Sequence, residues 1–349
     1  MANIHDVARA AGVSVATVSH VINDSRFVSP ETRKKVLAAV AELNYRRDGI
    51  ARSLRRNKTG TIGVMISDIT NPYFSDLVRG IEDAIHGRQD DHNFILCNTE
   101  ENAAKELLYL NVLLEKRVDG LIIAPAGGNH EEFRKILAAG LPLVFVDRIL
   151  DDVGADGVGV NNRVAARKAV SHLIKLGHRR IALMKARLDA DSILERIAGY
   201  HEALSAAGIA YDSALELDSA STIEQAHAVG RQLMSAKPRP DAVFCTNNFM
   251  TLGVMQAITE AGFDCPKDIA LVGFDDFPWA TAFRPRLTVL SQPSYAIGRE
   301  AVSLLFDRIT KRRQGAPVRI IMEAPLIVRD SCGSSSPLAS RAPNEVPKP

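Results

Sequence analysis

Four polar clusters stand directly after apolar runs: SDITNPYF (67–74), VDR (146–148), CTNN (245–248) and GFDD (273–276). A run such as IALVGF has the composition of a strand buried on both faces, and in open α/β sheets ligands bind beyond the carboxyl ends of such strands. The chemistry these clusters suit is therefore binding. Acid–base catalysis fits less well, because Asp275 and Asp276 are adjacent and neighbours on a strand point to opposite faces, where they cannot share a proton. The nine histidines have no metal-ligand spacing and read as surface or capping residues. Cys97, Cys245, Cys265 and Cys332 include no close pair, which argues against a zinc site and against a disulfide framework. No phosphate loop, G-x-S-x-G elbow or H-E-x-x-H helix is present, and GVGVNN (157–162) lacks the third glycine of a dinucleotide fingerprint. Its two glycines read as a bend at a strand.

A second kind of chemistry lies in DVARAAGVSVATVSHVIND (6–24). Ile4, Val7, Ala8 and Ala11 form the i, i+3, i+4, i+7 stripe of a first short helix, which Gly12 ends. Ser14 is placed to cap a second helix from about Val15 to Ile22, burying Val18, Val21 and Ile22. Ala16, His20 and Asn23 then share another face, small and nearly uncharged, of the kind a recognition helix presents to a DNA major groove. Residues 1–59 carry eleven Lys and Arg against five Asp and Glu, while the remainder is net acidic. Positive charge beside a groove-reading element is the electrostatic footprint of nucleic-acid binding.

The elements that hold these residues follow from punctuation and period. Ser29 and Pro30 open a third helix with Val36, Leu37, Val40 and Leu43 as its buried stripe. Next comes the basic RRDGIARSLRRNKTG, too short for a stable isolated helix and suited to folding on DNA. From residue 60, apolar runs alternate with helical stretches over some 270 residues, the pattern of a doubly wound α/β architecture long enough for two lobes. The tail from Ser331, rich in Ser, Pro and Ala, reads as disordered. No run approaches the ~20 apolar residues that span a bilayer, and the first residues lack a signal-peptide core, so a cytoplasmic, nucleoid-associated protein is expected.

IHDVARAAGVSVATVSHVIN, VSPETRKKVLAAVAELNYR and IARSL resemble the headpiece and hinge of the lactose-repressor (LacI) family, TVSHVIN lying closest to its purine and ribose repressors. The resemblance continues through GVMISDITNPYF, KRVDGLIIAP, HLIKLGHRRIAL and ALVGFDD, from Ile4 to about Asp330. It implies a headpiece (1–46), a hinge (47–59) and a periplasmic-binding-protein-like core (60–330), with 331–349 as tail. Lobe one would hold about 60–160 and 293–320, lobe two about 161–292 and 321–330. It further implies a homodimer on a palindromic operator, with Val15, Ala16 and His20 reading bases. Ser14, Thr17, Ser19 and Asn23 would touch phosphates or pack, Arg26, Arg52 and Arg55 would add DNA contacts, and Leu54 would wedge into the minor groove. For a small-molecule effector, most simply a sugar, the resemblance implies Asn71, Tyr73, Phe74, Asp147 and Arg148 from the first lobe. Arg196, Asn247, Asp275 and Gln292 would come from the second lobe and the crossover. A transcription regulator that needs no cofactor is expected; a purine effector is the alternative, and an enzyme fused to a DNA-binding domain the rival class. Three departures from the family pattern stand out: KARLDADSILER follows RIALM where a Gly-Pro turn is common, Asn248 replaces a usual Asp, and YRRD replaces Tyr-Arg-Pro-Asn. A tail without apolar heptads implies a dimer rather than a tetramer.

Overall fold

The computed structural model describes residues 2–45, 59–88, 92–186 and 191–334, which fall into two compact units, 1–59 and 60–349. The first contains α1 (Ile4–Ala11), α2 (Val15–Asn23) and α3 (Pro30–Glu42). Asn3 and Asp6 form a reciprocal capping box at the start of α1, and Gly12 ends that helix at φ 65°. Val7, Ala8, Ala11, Val18, Val21, Val36 and Ala39 make the core, with Ile22, Val40 and Leu43 packed at its margin. Leu37 departs from the stripe expected of α3: it is 51% exposed. Buried Val36 and Ala39 already fill the face that α3 turns inward, and position 37 lies about 100° round the helix from 36.

The second unit holds two sheets of six strands with the same order. β1 (Thr61–Ile66), β2 (Asn93–Asn98), β3 (Gly120–Ile123), β4 (Leu143–Val146), β5 (Asp156–Val160) and β11 (Arg319–Met322) are arranged β11-β5-β4-β3-β1-β2, all parallel. β6 (Ile181–Ala186), β7 (Glu216–Ser219), β8 (Ala242–Cys245), β9 (Ala270–Phe274), β10 (Thr288–Leu290) and β12 (Leu326–Ile327) are arranged β12-β10-β9-β8-β6-β7, with only β12 antiparallel.

Helices cover both faces of each sheet, as parallel strands require. α4 (Pro72–His86) and α11 (Ser294–Ile309) lie on the face of Ile62, Val64 and Ile66; α5 (Ala103–Glu115) and α6 (His130–Ala138) lie on the face of Met65, Leu121 and Ile123. In the second lobe α7 (Asn162–Lys175) and α8 (Asp191–Ala206) pack together on one face, and α9 (Ile223–Ser235) and α10 (Asn248–Glu260) on the other. α4 and α11 approach so closely that a Cβ on Gly298 would lie 2.2 Å from the Leu77 carbonyl oxygen.

The chain crosses between lobes three times: after β5, after β10 and after β11. Ile321 and Met322 pair with Gly159 and Val160 in the first sheet, so the last crossing comes after 322 and not at 320. Two further expectations are corrected. Gly157 and Gly159 do not bend the chain; both lie within β5, and a Cβ on Gly157 would come within 2.8 Å of Ile149, so the position is bare to admit that side chain. Residues 331–334 do not belong to a disordered tail. Ser331 and Cys332 are fully buried, and the Ser331 hydroxyl donates to the Leu271 carbonyl at 2.7 Å and accepts from the Thr288 amide at 2.8 Å. Those bonds tie the segment to β9 and to the first residue of β10.

Candidate functional site

The residues expected to bind a ligand collect at the carboxyl ends of the strands of both sheets. Asp147 follows β4 and Asp275 follows β9, the third strand of each sheet in its order, and both adopt left-handed backbone conformations at φ 65° and 72°. That conformation turns the chain sharply at the strand end and leaves the carboxylate beyond the sheet. Asp275 is 6% exposed and accepts from the Gln292 side-chain amide at 2.6 Å. Burial pushes its carboxyl up to about 6, against the opposing pull of the Arg196 guanidinium and the Gln292 hydrogen bond, with Asp147 adding to the rise. Asp276 turns away and is held by Arg329 at 2.7 and 3.0 Å.

Arg196 comes from α8 and is buried. Its Nε donates to Asn162 at 2.8 Å, one Nη donates to the Thr246 carbonyl at 2.5 Å, and its guanidinium carbon lies 3.6 Å from the centroid of the Phe274 ring. Burial draws its pKa down, and Asp275 and Asp147 oppose that shift. Arg148 is buried too, with one Nη on the Pro125 carbonyl at 3.1 Å and the other on Glu101 at 2.6 Å. Burial works against its charge, but Asp147 and Glu101 outweigh it and hold the pKa above the ordinary value. Its Nε, 3.5 Å from an Asp147 oxygen, makes no hydrogen bond within the protein.

Asn71, Tyr73 and Phe74 sit where the β1 loop enters α4. Tyr73 and Phe74 are each 5% exposed and meet edge to face at 5.0 Å. The Tyr73 hydroxyl is buried without a well-formed hydrogen bond; burial and the Asp147 and Asp275 carboxylates beside it raise its pKa well above that of a free phenol. Asn71 and Asn247 cap α4 and α10, Oδ1 accepting from Tyr73 N at 3.0 Å and from Met250 N at 2.7 Å. Of the residues named from the sequence for effector binding, Tyr73, Asp147, Arg148, Arg196, Asp275 and Gln292 are brought together; Asn71 and Phe74 contact Tyr73, and Asn247 caps its own helix. Sequence reasoning missed Glu101, Asn162 and Phe274, which hold the two arginines. The segment 187–190, where KARLDADSILER departs from the family, lies outside the described residues.

In the first unit, Ser14 caps α2, its Oγ 3.1 Å from Thr17 N and 2.9 Å from Thr17 Oγ1. Ala16 and Arg26 are exposed, while Val15, Thr17, Ser19 and His20 are half-buried. His20 Nδ1 meets Ser25 Oγ at 3.0 Å, which fixes the ring and leaves Nε2 as its other polar edge. Asn23 closes α2. Arg52, Leu54 and Arg55 lie outside the described residues. Among the described residues no group of three or more His, Cys, Asp or Glu is placed to hold a metal, and no helix is long and apolar enough to cross a membrane.

Residues 59–329 match the family model for periplasmic binding proteins and the sugar-binding domain of the LacI family, and residues 3–48 match that of the lacI family of bacterial regulatory proteins. The chain belongs to the LacI family. Among its LacI-family relatives, the HTH-type transcriptional repressor PurR of Photobacterium profundum is 36% identical over 95% of this chain and 98% of its own. The ribose operon repressor of Escherichia coli K12 is 39% identical over 89% and 94%. The lac repressor dimer bound to operator and the anti-inducer ONPF superposes with a TM-score of 0.85 at 28% identity, covering 95% of this chain and 99% of that one. A LacI-family chain with this headpiece and this core is an effector-controlled, DNA-binding transcription regulator.

Proposed function

We propose that the protein is a repressor that grips a palindromic operator as a homodimer and is switched by an uncharged sugar held between the lobes of its core, without catalytic activity of its own. It acts in the cytoplasm, on the nucleoid. The observation that carries the sugar reading is the pairing of acceptors and donors at the cleft. Asp147 and Asp275, one from each lobe, offer carboxylate oxygens, and Arg196, the Nε of Arg148 and the Tyr73 hydroxyl offer donors beside them. A sugar hydroxyl donates once and accepts, so a ring of hydroxyls satisfies such a set, whereas each polar group left unpaired costs about 1–3 kcal/mol. Three carboxylates (Glu101, Asp147, Asp275) against two guanidiniums (Arg148, Arg196) disfavour a phosphate or carboxylate effector. On the DNA side, Val15 and Ala16 suit thymine methyls and His20 a base edge, with Arg26, Arg52 and Arg55 on the backbone and Leu54 as the wedge.

The likeness to PurR gives a purine effector standing as the second reading. Titration of the purified protein with D-ribose and with hypoxanthine, read by thermal melting and by operator affinity, separates the two. D-Ribose is expected to raise the melting temperature, with about 2.7 kcal/mol of stabilisation at a hundred times Kd, and to change operator affinity. A response to hypoxanthine alone transfers the site to the purine reading. Silence toward both, with operator binding intact, removes both effectors.

A further inference from the structure

One contact bridges the two lobes directly. Asn71 Oδ1, which caps α4 by accepting from Tyr73 N at 3.0 Å, also accepts from Nδ2 of Asn248 at 2.8 Å. Asn71 belongs to the loop after β1 in the first lobe, and Asn248 is the first residue of α10 in the second. Local backbone fixes the orientation of both amides. The Tyr73 N–H requires the oxygen of Asn71 at the helix start, and the Phe249 N–H, 2.8 Å from Asn248 Oδ1, requires the oxygen of Asn248 there, which turns Nδ2 toward the other lobe. Asn248 is 1% exposed, so this hydrogen bond is shielded from water.

We propose that Asn248 is a positioning residue for the effector: its amide latches the second lobe onto the cap of α4 and raises the population of the closed cleft before a sugar binds. The proposal rests on the cleft's being the effector site. A ligand's apparent affinity is its intrinsic affinity scaled by the fraction of protein already competent to bind, so a latch that populates the closed form strengthens binding without touching the ligand. Only a side chain that both accepts from its own helix start and donates across the gap can do this. A carboxylate at 248 would keep the Phe249 bond but face the Asn71 carbonyl with a second acceptor, and the lobes would part.

The test is hydrogen exchange of the full-length protein with and without D-ribose, for the native chain and for Asn248→Asp, Asn248→Ala and Asn71→Asp. Without sugar, Asn248→Asp is expected to speed exchange about tenfold in residues 69–75 of the opposite lobe, the effect of losing one buried hydrogen bond, and to weaken D-ribose to a similar degree. Exchange in residues 120–123, buried in the core of the first sheet, stays unchanged and certifies the fold. Asn248→Ala moves 69–75 the same way, and Asn71→Asp, which keeps an acceptor for both partners, leaves 69–75 protected. A residue that mattered only to the helix it starts would leave 69–75 untouched; that result, or equal effects from Asn71→Asp and Asn248→Asp, overturns the latch. If D-ribose binds neither the native chain nor the variants, the sugar reading falls, while the sugar-free exchange still decides the latch.

Discussion

At the scale of single residues, Asp275 concentrates the conflict between binding and stability. Its carboxyl is pushed up to about 6 from an ordinary 3.8, chiefly by burial. The unfolded chain gives up that proton first, so this group's contribution to stability is fully present below about pH 3.8 and is lost as pH rises through 6. Asp275→Asn should therefore raise the melting temperature at pH 7.5, by about 1–3 kcal/mol of stability, and have no effect near pH 3.5. Asparagine also tolerates the left-handed backbone at φ 72° better than most residues. A hydroxyl donates more strongly to the ionised carboxylate than to the neutral acid, so effector affinity of the native chain should decline as pH falls below 6, and the variant should bind weakly at every pH. Melting curves and sugar titrations across pH 4–8 check both halves. A variant less stable than the native chain at pH 7.5 would mean that Arg196 depends on the Asp275 charge more than burial opposes it.

At the scale of elements, the helix that follows the second crossing does the positioning. Asp76 of α4 accepts from Ser294 Oγ at 2.6 Å and from Tyr295 N at 3.2 Å, which caps α11 immediately after the crossover that carries Gln292. The two helices meet at glycines: a Cβ on Gly80 would lie 2.1 Å from the Tyr295 carbonyl oxygen, and one on Gly298 2.2 Å from that of Leu77. Gly298→Ala gains roughly 1 kcal/mol of helix propensity but drives a methyl into backbone that cannot move alone. The clash should win, for a net loss of about 1–3 kcal/mol by chemical denaturation, with weakened effector binding as Gln292 shifts from Asp275. A more stable variant would show that the helices slide apart freely. The elements themselves were largely legible in the sequence, because strands such as LVFV and ALVGF are unbroken apolar runs and α1 to α3 carry their caps locally. β7, the polar edge strand ELDS, and β12, two residues long, leave no such trace. Ser331 looked like tail because its burial depends on Leu271 and Thr288, far off in the chain. At the cleft, Asp147, Arg148 and Asp275 were legible as polar residues at strand ends. The partnership of Asn248 with Asn71 was not, since 177 residues separate them and nothing local requires it.

At the scale of the whole molecule, the core is one topology used twice, and the repetition sets two carboxylates against each other. Asp147 and Asp275 end equivalent strands of sheets with identical order, and each is felt by Arg196 and Tyr73. A ligand can bias the arrangement of the lobes only through differential affinity for open and closed forms, and a sugar that bonds both carboxylates has such a difference only when both lobes hold it. Asp147→Asn and Asp275→Asn, which keep size and tolerate the same backbone, should each weaken D-ribose by about 1.5–3 kcal/mol, the usual cost of a hydrogen bond to a charged group. Once one carboxylate is gone the sugar no longer adds to the population of the closed form, so removing the second should cost clearly less, and the double variant should fall short of the sum by more than about 0.5 kcal/mol. Operator affinity offers an independent reading of the same coupling: by linkage, the factor by which sugar changes operator binding equals the factor by which operator changes sugar binding. Both factors should shrink together toward one in each variant, while operator affinity without sugar stays near that of the native chain. Additive losses with the operator response preserved would place the two carboxylates on separate events, and the cleft would then not be the switch.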